Sequence, residues 1–274
     1  EDWDVEDWDE KRYYNSRVLE ELNITEDDNK VLLYENEQKK GKLIENKIFT
    51  TNKFGDIEIT LFSLDRVPFT YHKQVASHTN WVEKEDVITR FTPWRAQIEG
   101  RKYHITGETG THPFLHPKII EAYEDEEQEI ETLVITEGAF KAYKSTHEGI
   151  YTVGLSSITH YRSKEDGEIH ADIIQIIKNK NVRNVVILWD GDCLDISTKA
   201  LQNEEDLITR PLGFYNSAKK MRDGLKEFYP KGLNIFFAHV ESKKLSNGYP
   251  KGIDDLLVNY ATSIESIKDD FKNV

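Results

Sequence analysis

Apolar strand-like segments alternate with helix-like segments over the second half of this chain, and that order restricts its fold more than any other feature. The strand-like segments are residues 132–136, 150–153, 185–189 and 234–239. The helix-like segments are residues 138–146, 169–180, 212–229 and 253–260. Because the strand segments lack the polar alternation of a half-exposed sheet, we expect a parallel sheet with helices on its faces. Residues 132–274 are therefore predicted to form an α/β domain.

The first part of the chain has a different pattern. Its β-favouring segments, separated by turn residues, are residues 30–34, 47–51 and 57–63. This pattern predicts a smaller β-rich (α+β) subdomain over residues 30–120. Residues 1–29 are predicted to be an acidic tail with a short helix, and residues 121–131 an acidic linker, because both segments are too charged to form a core.

Length and composition exclude several classes of protein. The 274 residues, 38% of them hydrophobic, are enough for a buried core. No segment approaches the roughly 18 consecutive apolar residues of a membrane-spanning helix, and no signal peptide is recognisable, so we expect a cytoplasmic protein without a membrane partner. The single cysteine, Cys193, excludes an intramolecular disulfide and a zinc site built from paired CxxC motifs.

The net charge of −14 argues against a nucleic-acid partner, but the acids are concentrated in the tail and the linker. Basic residues are mixed with aromatic ones before the linker, as on surfaces that bind single strands. We therefore predict nucleic-acid binding by Arg90, Arg95, Arg101 and Lys102. The alternative is an ordinary β-domain core with charged edges.

Acidic residues stand where two strands of the predicted sheet end. Glu137 ends one strand segment, and Asp190 and Asp192 follow another. In a parallel α/β sheet the ligand crevice lies at the carboxyl ends of the strands. If the chain stays extended, Asp190 and Asp192 point to the same side and can share one Mg²⁺ or Mn²⁺ ion. For Glu137 or Asp190 alone, a helix-capping role is the competing interpretation.

Further candidates surround these three acids. Lys141 follows Glu137 by one helical turn, so it either forms a helix ion pair or contacts phosphate as a second catalytic residue beside Glu137. Asp195 is either a second metal ligand or a solvated turn residue. A third acidic motif near the C-terminus contains Asp254 and Asp255.

Together these motifs resemble the TOPRIM domain of primases, topoisomerases and certain nucleases, and most closely its primase-like form in phages and mobile elements. The matching segments are LVITEGAFKA at 133–142, VVILWDGD at 185–192 and KGIDDLL at 251–257. The resemblance implies that Asp190 and Asp192 bind magnesium and that Glu137 transfers a proton or joins the metal site. It implies supporting roles for Asp254 and Asp255.

The resemblance implies a nucleotidyltransferase, a DNA primase catalytic core that joins nucleoside triphosphates on a single-stranded DNA template, with a possible helicase partner in cis or in trans. A metal-dependent TOPRIM nuclease needs the same acids. A catalytically silent nucleic-acid-binding module of a replication protein is the third hypothesis. One departure from bacterial-type primases is that this sequence has no zinc-binding template-recognition module.

Overall fold

A computed structural model describes residues 18–35, 41–74, 81–105, 111–164, 166–195, 201–202, 207–229, 232–241, 250–258 and 263–272. The chain divides into two compact units, Glu1–Gly110 and Thr111–Val274. In the described part of the chain, no helix is long and apolar enough to cross a membrane.

The first unit is built from antiparallel strands. These are β1 (Lys30–Tyr34), β2 (Leu43–Lys47), β3 (Phe49–Thr51), β4 (Ile57–Thr60), β5 (Thr70–Gln74), β6 (Trp81–Glu85), β7 (Val87–Arg90) and β8 (Tyr103–Ile105), with helix α1 (Pro93–Glu99) between the last two. Strands β3, β4, β7 and β8 form one sheet in the order β3-β4-β7-β8, while β1 pairs with β2 and β5 with β6. The predicted β-rich character is confirmed. Of the predicted tail, residues 18–21 are helical, and residues 1–17 lie outside the described residues.

The second unit contains a parallel sheet flanked by helices, as predicted. Its strands are β9 (Thr132–Glu137), β10 (Thr152–Leu155), β11 (Asn184–Trp189) and β12 (Asn234–His239), in the order β10-β9-β11-β12. Its helices are α2 (Pro117–Glu124), α3 (Ala139–His147), α4 (Ala171–Asn179), α5 (Thr209–Phe228), α6 (Ile253–Val258) and α7 (Ile264–Lys272), with a 3₁₀ turn at Gly191–Leu194.

The central strands of this sheet are more buried than its edge strand β12. Every interior residue of β9 and β10 is buried, and β11 is buried from Val185 to Trp189, because helices or neighbouring strands cover them. Strand β12 lies at the edge and is only partly buried. The four strands run parallel, so their carboxyl ends meet at one edge of the sheet.

The acidic segment 121–131 differs from the linker that its charge predicts. Its first residues belong to α2, whose Ile119 and Ile120 are fully buried, and Ile130 is buried with its backbone N–H donating to the Lys180 carbonyl oxygen at 2.9 Å. Most of the acids face solvent around these apolar anchors. The boundary between the two units therefore falls at residue 110, before α2, and not at residue 120.

Gly154 in β10 has no room for a side chain. An added Cβ would lie 2.9 Å from both the Ala142 Cβ and the Gly138 carbonyl oxygen. We expect Gly154→Ala to lower the free energy of unfolding by about 1–3 kcal/mol, because helix α3 would have to move away from the sheet. Urea unfolding measures this loss. Gly213→Ala is the control, since no described atom lies within 4 Å of its added Cβ, and an unchanged Gly154→Ala variant would contradict the packing described.

Candidate active site

The carboxyl edge of the parallel sheet brings two of the three predicted acids together. Leu188 in β11 pairs with Thr136 in β9, so Glu137 and the residues after Trp189 emerge side by side. After Glu137 the chain turns into helix α3 at Gly138, whose φ of 107° is a conformation that favours glycine. The turn is closed by a hydrogen bond from the Gly138 N–H to the Leu155 carbonyl oxygen, at 2.7 Å.

Lys141 on α3 points at Asp190. Its Nζ donates to Asp190 Oδ1 at 2.5 Å and to Oδ2 at 2.6 Å, and the two side chains are only 17% and 23% exposed. The ion pair that Lys141 forms is with Asp190 and not with Glu137, its expected partner on the helix; a contact to phosphate stays a prediction. The Lys141 ammonium contacts Asp190, the first aspartate of the DGD sequence at residues 190–192, which follows the neighbouring strand β11.

The chain does not stay extended through the DGD motif. Asp190 is extended, but Gly191–Leu194 form a 3₁₀ turn, because the Cys193 N–H donates back to the Asp190 carbonyl oxygen at 3.0 Å. The assumption that strand alternation aligns Asp190 with Asp192 is therefore wrong. Asp192 instead lies within ion-pair distance of Arg210 in α5, at 3.2 Å, and of Lys251, at 3.9 Å.

The third motif, KGIDDLL at residues 251–257, is hydrogen-bonded through its backbone to the turn that follows β11. The Gly191 N–H donates to the Lys251 carbonyl oxygen at 2.7 Å. The Asp255 carboxylate accepts hydrogen bonds from the N–H groups of Lys251 and Gly252, at 2.8 and 3.3 Å, which orders the start of α6. Asp255 is thus a capping residue. This arrangement connects residues that lie about sixty positions apart in the sequence.

Asp254 lies close to Gly252 and to the Lys141 side chain. Its Oδ1 is buried and accepts no hydrogen bond from the described residues. A Cβ added at Gly252 would meet this oxygen and would lie 2.6 Å from the Lys141 Cε, so these two side chains pack closely against the start of the motif.

Negative charge predominates at this edge, where Glu137, Asp190, Asp192 and Asp254 form an acid cluster. Burial raises the pKa of the Glu137 carboxyl, and the charges of Asp190 and Asp192 raise it further, against the opposing effects of Lys141 and Arg210. Burial also raises the pKa of Asp190, although Lys141 opposes that rise. Burial raises the pKa of Asp254 to about 6. Clustered acids with raised pKa values are typical of functional sites.

Lys141 remains a cation in this environment. Burial alone lowers the pKa of its ammonium, but the combined charges of Asp190, Asp254 and Glu137 outweigh that effect and raise it overall. A charged Lys141 therefore offsets part of the repulsion between the buried acids.

The carboxylates of the cluster are of the donor type that a hard divalent cation prefers. Among the described residues, no three or more histidine, cysteine or acidic side chains are already grouped closely enough to hold a metal ion. Mg²⁺, however, is usually bound by one or two carboxylates together with substrate phosphates and water. Asp190 and Asp192 supply such carboxylates, each now beside a cationic side chain, and the buried Asp254 Oδ1 has no donor among the described residues.

The remaining predicted residues have contacts of their own, four of them in the first unit and one in the second. Arg95 in the first unit forms an ion pair with the fully buried Asp56 and stacks on the rings of Phe91 and Phe54, at 4.5 and 4.8 Å, so it has a structural role there. Further residues of that unit are Arg90 in β7, Lys102, whose ammonium lies 5.6 Å from the Tyr103 ring centroid, and the half-exposed Arg101 beside Glu99. In the second unit, Asp195 is exposed and contributes its backbone carbonyl to Arg210, at 3.2 Å.

Arg210 and Lys251 are the residues that sequence reasoning missed as part of the site. Arg210 belongs to no motif and follows Asp192 by eighteen positions, so only the contact of α5 with the 3₁₀ turn reveals it. Lys251 lies within the third motif, KGIDDLL. Its positive charge could have marked it as a site residue, but the interpretation of the motif concentrated on the two acids that follow it. Comparisons of the chain with family models, with curated proteins and with solved structures find no match.

The burial of Asp254 makes stability depend on pH. Its pKa rises from 3.8 to about 6 on folding, so the stabilisation from the protonated form is complete below about pH 4 and is lost as the pH rises through 6. We expect Asp254→Asn, which cannot ionise, to raise the free energy of unfolding at pH 7.5 by up to about 3 kcal/mol and to change little near pH 4.

Denaturant unfolding in a chelating buffer at the two pH values measures this difference. Asp223→Asn, at an exposed carboxylate of α5, is the control and should change stability by less than about 0.5 kcal/mol. An Asp254→Asn effect of equal size at both pH values would contradict the assignment.

Proposed function

We propose that this chain is a metal-dependent nucleic-acid enzyme of the TOPRIM type, a DNA primase catalytic core. The observation that supports the proposal most strongly is the meeting of all three motifs at the carboxyl edge of one parallel sheet. Lys141 contacts Asp190, Asp192 lies beside Lys251, and Gly191 is hydrogen-bonded to Lys251. This edge is where open α/β sheets bind their ligands.

In this proposal Asp190 and Asp192 hold Mg²⁺ or Mn²⁺, which neutralises the charge of the triphosphate when bound. Glu137 accepts the proton of the 3′-hydroxyl as its oxygen attacks the α-phosphorus and pyrophosphate leaves, a role for which its raised pKa suits it. Lys141 acts as a positioning residue, because its ammonium holds the Asp190 carboxylate in one orientation. Asp254 and Asp255 support the site by lying beside Lys141 and by capping α6, respectively.

The proposed partners are a single-stranded DNA template, nucleoside triphosphates and a helicase in cis or in trans, and the proposed location is the cytoplasm of a cell carrying the phage or mobile element. Arg90, Arg101 and Lys102 of the first unit are the proposed contacts to the nucleic acid. Arg95 is less suited to that task, because Asp56 already holds its guanidinium.

Incubation of the chain with labelled single-stranded DNA and Mg²⁺, with and without nucleoside triphosphates, tests the proposal. Products that appear only with nucleotides support primer synthesis. Shortened DNA without nucleotides would instead identify a nuclease that uses the same acids. An absence of metal-dependent change in either assay would leave a nucleic-acid-binding module and would contradict the proposed enzyme.

A further inference from the structure

Arg210 lies beside Asp192, on the side of the acid cluster that is more exposed to solvent. It lies in the first turn of α5, where its guanidinium is 3.2 Å from Asp192 Oδ2 and donates to the Asp195 carbonyl oxygen, also at 3.2 Å. The guanidinium lies 5.6 Å from the Phe214 ring centroid, and its side chain is 34% exposed. The guanidinium is therefore fixed in place yet accessible to a ligand.

Lys251 approaches the same carboxylate oxygen from the third motif. Its Nζ is 3.9 Å from Asp192 Oδ2, and its side chain is 69% exposed. Its backbone is fixed by the hydrogen bonds to Gly191 and Asp255. Two cationic side chains, Arg210 and Lys251, therefore face the one carboxylate of Asp192.

Lys141 is less accessible to solvent than these two cations. Lys141 is mostly buried and donates to both oxygens of Asp190, while the charges of Glu137 and Asp254 act on it as well. An anion entering from solvent thus meets Arg210 and Lys251 before it meets Lys141.

We infer that Arg210 and Lys251 bind the phosphate groups of the incoming nucleoside triphosphate. A guanidinium presents two parallel N–H donors that match phosphate oxygens, and a nearby ammonium adds a point charge. The inference rests on the proposed function and assigns the substrate's phosphates to these two residues, with Lys141 kept as the positioning residue of Asp190. The same chemistry would also suit a phosphodiester of the DNA strand, so the experiment separates the two sources.

The test is equilibrium binding of inorganic triphosphate to the whole chain in Mg²⁺, beside binding of a single-stranded oligonucleotide. We expect Arg210→Ala and Lys251→Ala each to weaken triphosphate binding by about tenfold or more, because each removes a charge-assisted contact. Arg210→Lys, which keeps the charge but loses the paired donors, should give a smaller loss. Oligonucleotide binding should change by less than about threefold. The matched control is Lys220→Ala, an exposed cation on the same helix, and it should bind as the unmodified chain does.

Each outcome has a separate meaning. Unchanged triphosphate affinity in Arg210→Ala and Lys251→Ala, or no triphosphate binding by the unmodified chain, overturns the inference. A loss confined to the oligonucleotide would assign the two residues to the DNA strand and overturn the triphosphate assignment. A third outcome separates the inference from the proposed function. Triphosphate binding could need Arg210 and yet stay unchanged when Mg²⁺ is removed or Asp190 is replaced by Asn. That result would support the inference and contradict the proposed metal enzyme. Thermal unfolding of Arg210→Ala, Arg210→Lys and Lys251→Ala establishes that each of these variants is folded.

Discussion

Replacement of Asp190 by asparagine should reduce metal-dependent product formation on the order of a thousandfold. The change keeps the shape of the side chain but removes the charge by which it would hold a divalent cation, and a metal's stabilisation of transition-state charge contributes several kcal/mol. Asparagine also leaves the buried Lys141 without the carboxylate that it now contacts through both oxygens. Initial rates of product formation at saturating Mg²⁺ measure the effect.

The control for this loss is Asp223→Asn, which removes an exposed carboxylate from α5 and should leave the rate within about twofold. Circular dichroism of both variants establishes that they are folded. An Asp190→Asn variant that keeps more than about a tenth of the wild-type rate would show that this carboxylate is not part of the reaction centre.

Replacement of Lys141 by methionine should have the largest effect on stability. It leaves Asp190 partly buried near Glu137 and Asp254 without the ammonium that offsets their repulsion. Breaking a fully buried ion pair from one side costs about 3–5 kcal/mol, and partial exposure of this pair reduces the expected loss to about 2–4 kcal/mol at pH 8. The loss should shrink as the pH falls below 6, because Asp254 then becomes protonated and no longer adds to the repulsion.

A double-mutant cycle identifies the cause of that loss. Lys141→Met combined with Asp190→Asn should recover most of the lost stability, since the double variant has no unpaired charge at this position. Lys178→Met, an exposed position of α4, is the matched control and should change stability by less than about 0.5 kcal/mol. Equal stability of Lys141→Met and the unmodified chain would show that the pair contributes nothing to the fold.

The sequence predicts the second unit well because its signals are local. Each strand of the parallel sheet is a short apolar segment, and ligands bind at the carboxyl ends of such strands, so the positions of Glu137 and Asp190 in the sequence suffice to predict that they lie together. The β-rich character of the first unit follows from its turn residues in the same way. TOPRIM membership remains a prediction from the three motifs.

The features that the sequence did not predict depend on contacts between distant residues. Lys141 and Asp190 are 49 positions apart and meet only because β9 and β11 are neighbours. Arg95 has the sequence context of a surface cation, and only its pair with Asp56, 39 positions away, gives it a structural role. The short 3₁₀ turn after Asp190 also interrupts strand alternation without a strong local signal, since its Gly191 was equally compatible with an extended chain.

Calorimetric titration of Mg²⁺ into the whole chain tests the central claim, that the three motifs form one cation site at the carboxyl edge of the sheet. We expect saturable binding by the unmodified chain and by Asp223→Asn, and a loss of at least about tenfold in affinity in both Asp190→Asn and Asp192→Asn, because one or two carboxylates provide most of the protein's contribution to such a site. Binding of Mg²⁺ by Asp190→Asn and Asp192→Asn with the affinity of the unmodified chain would contradict the claim.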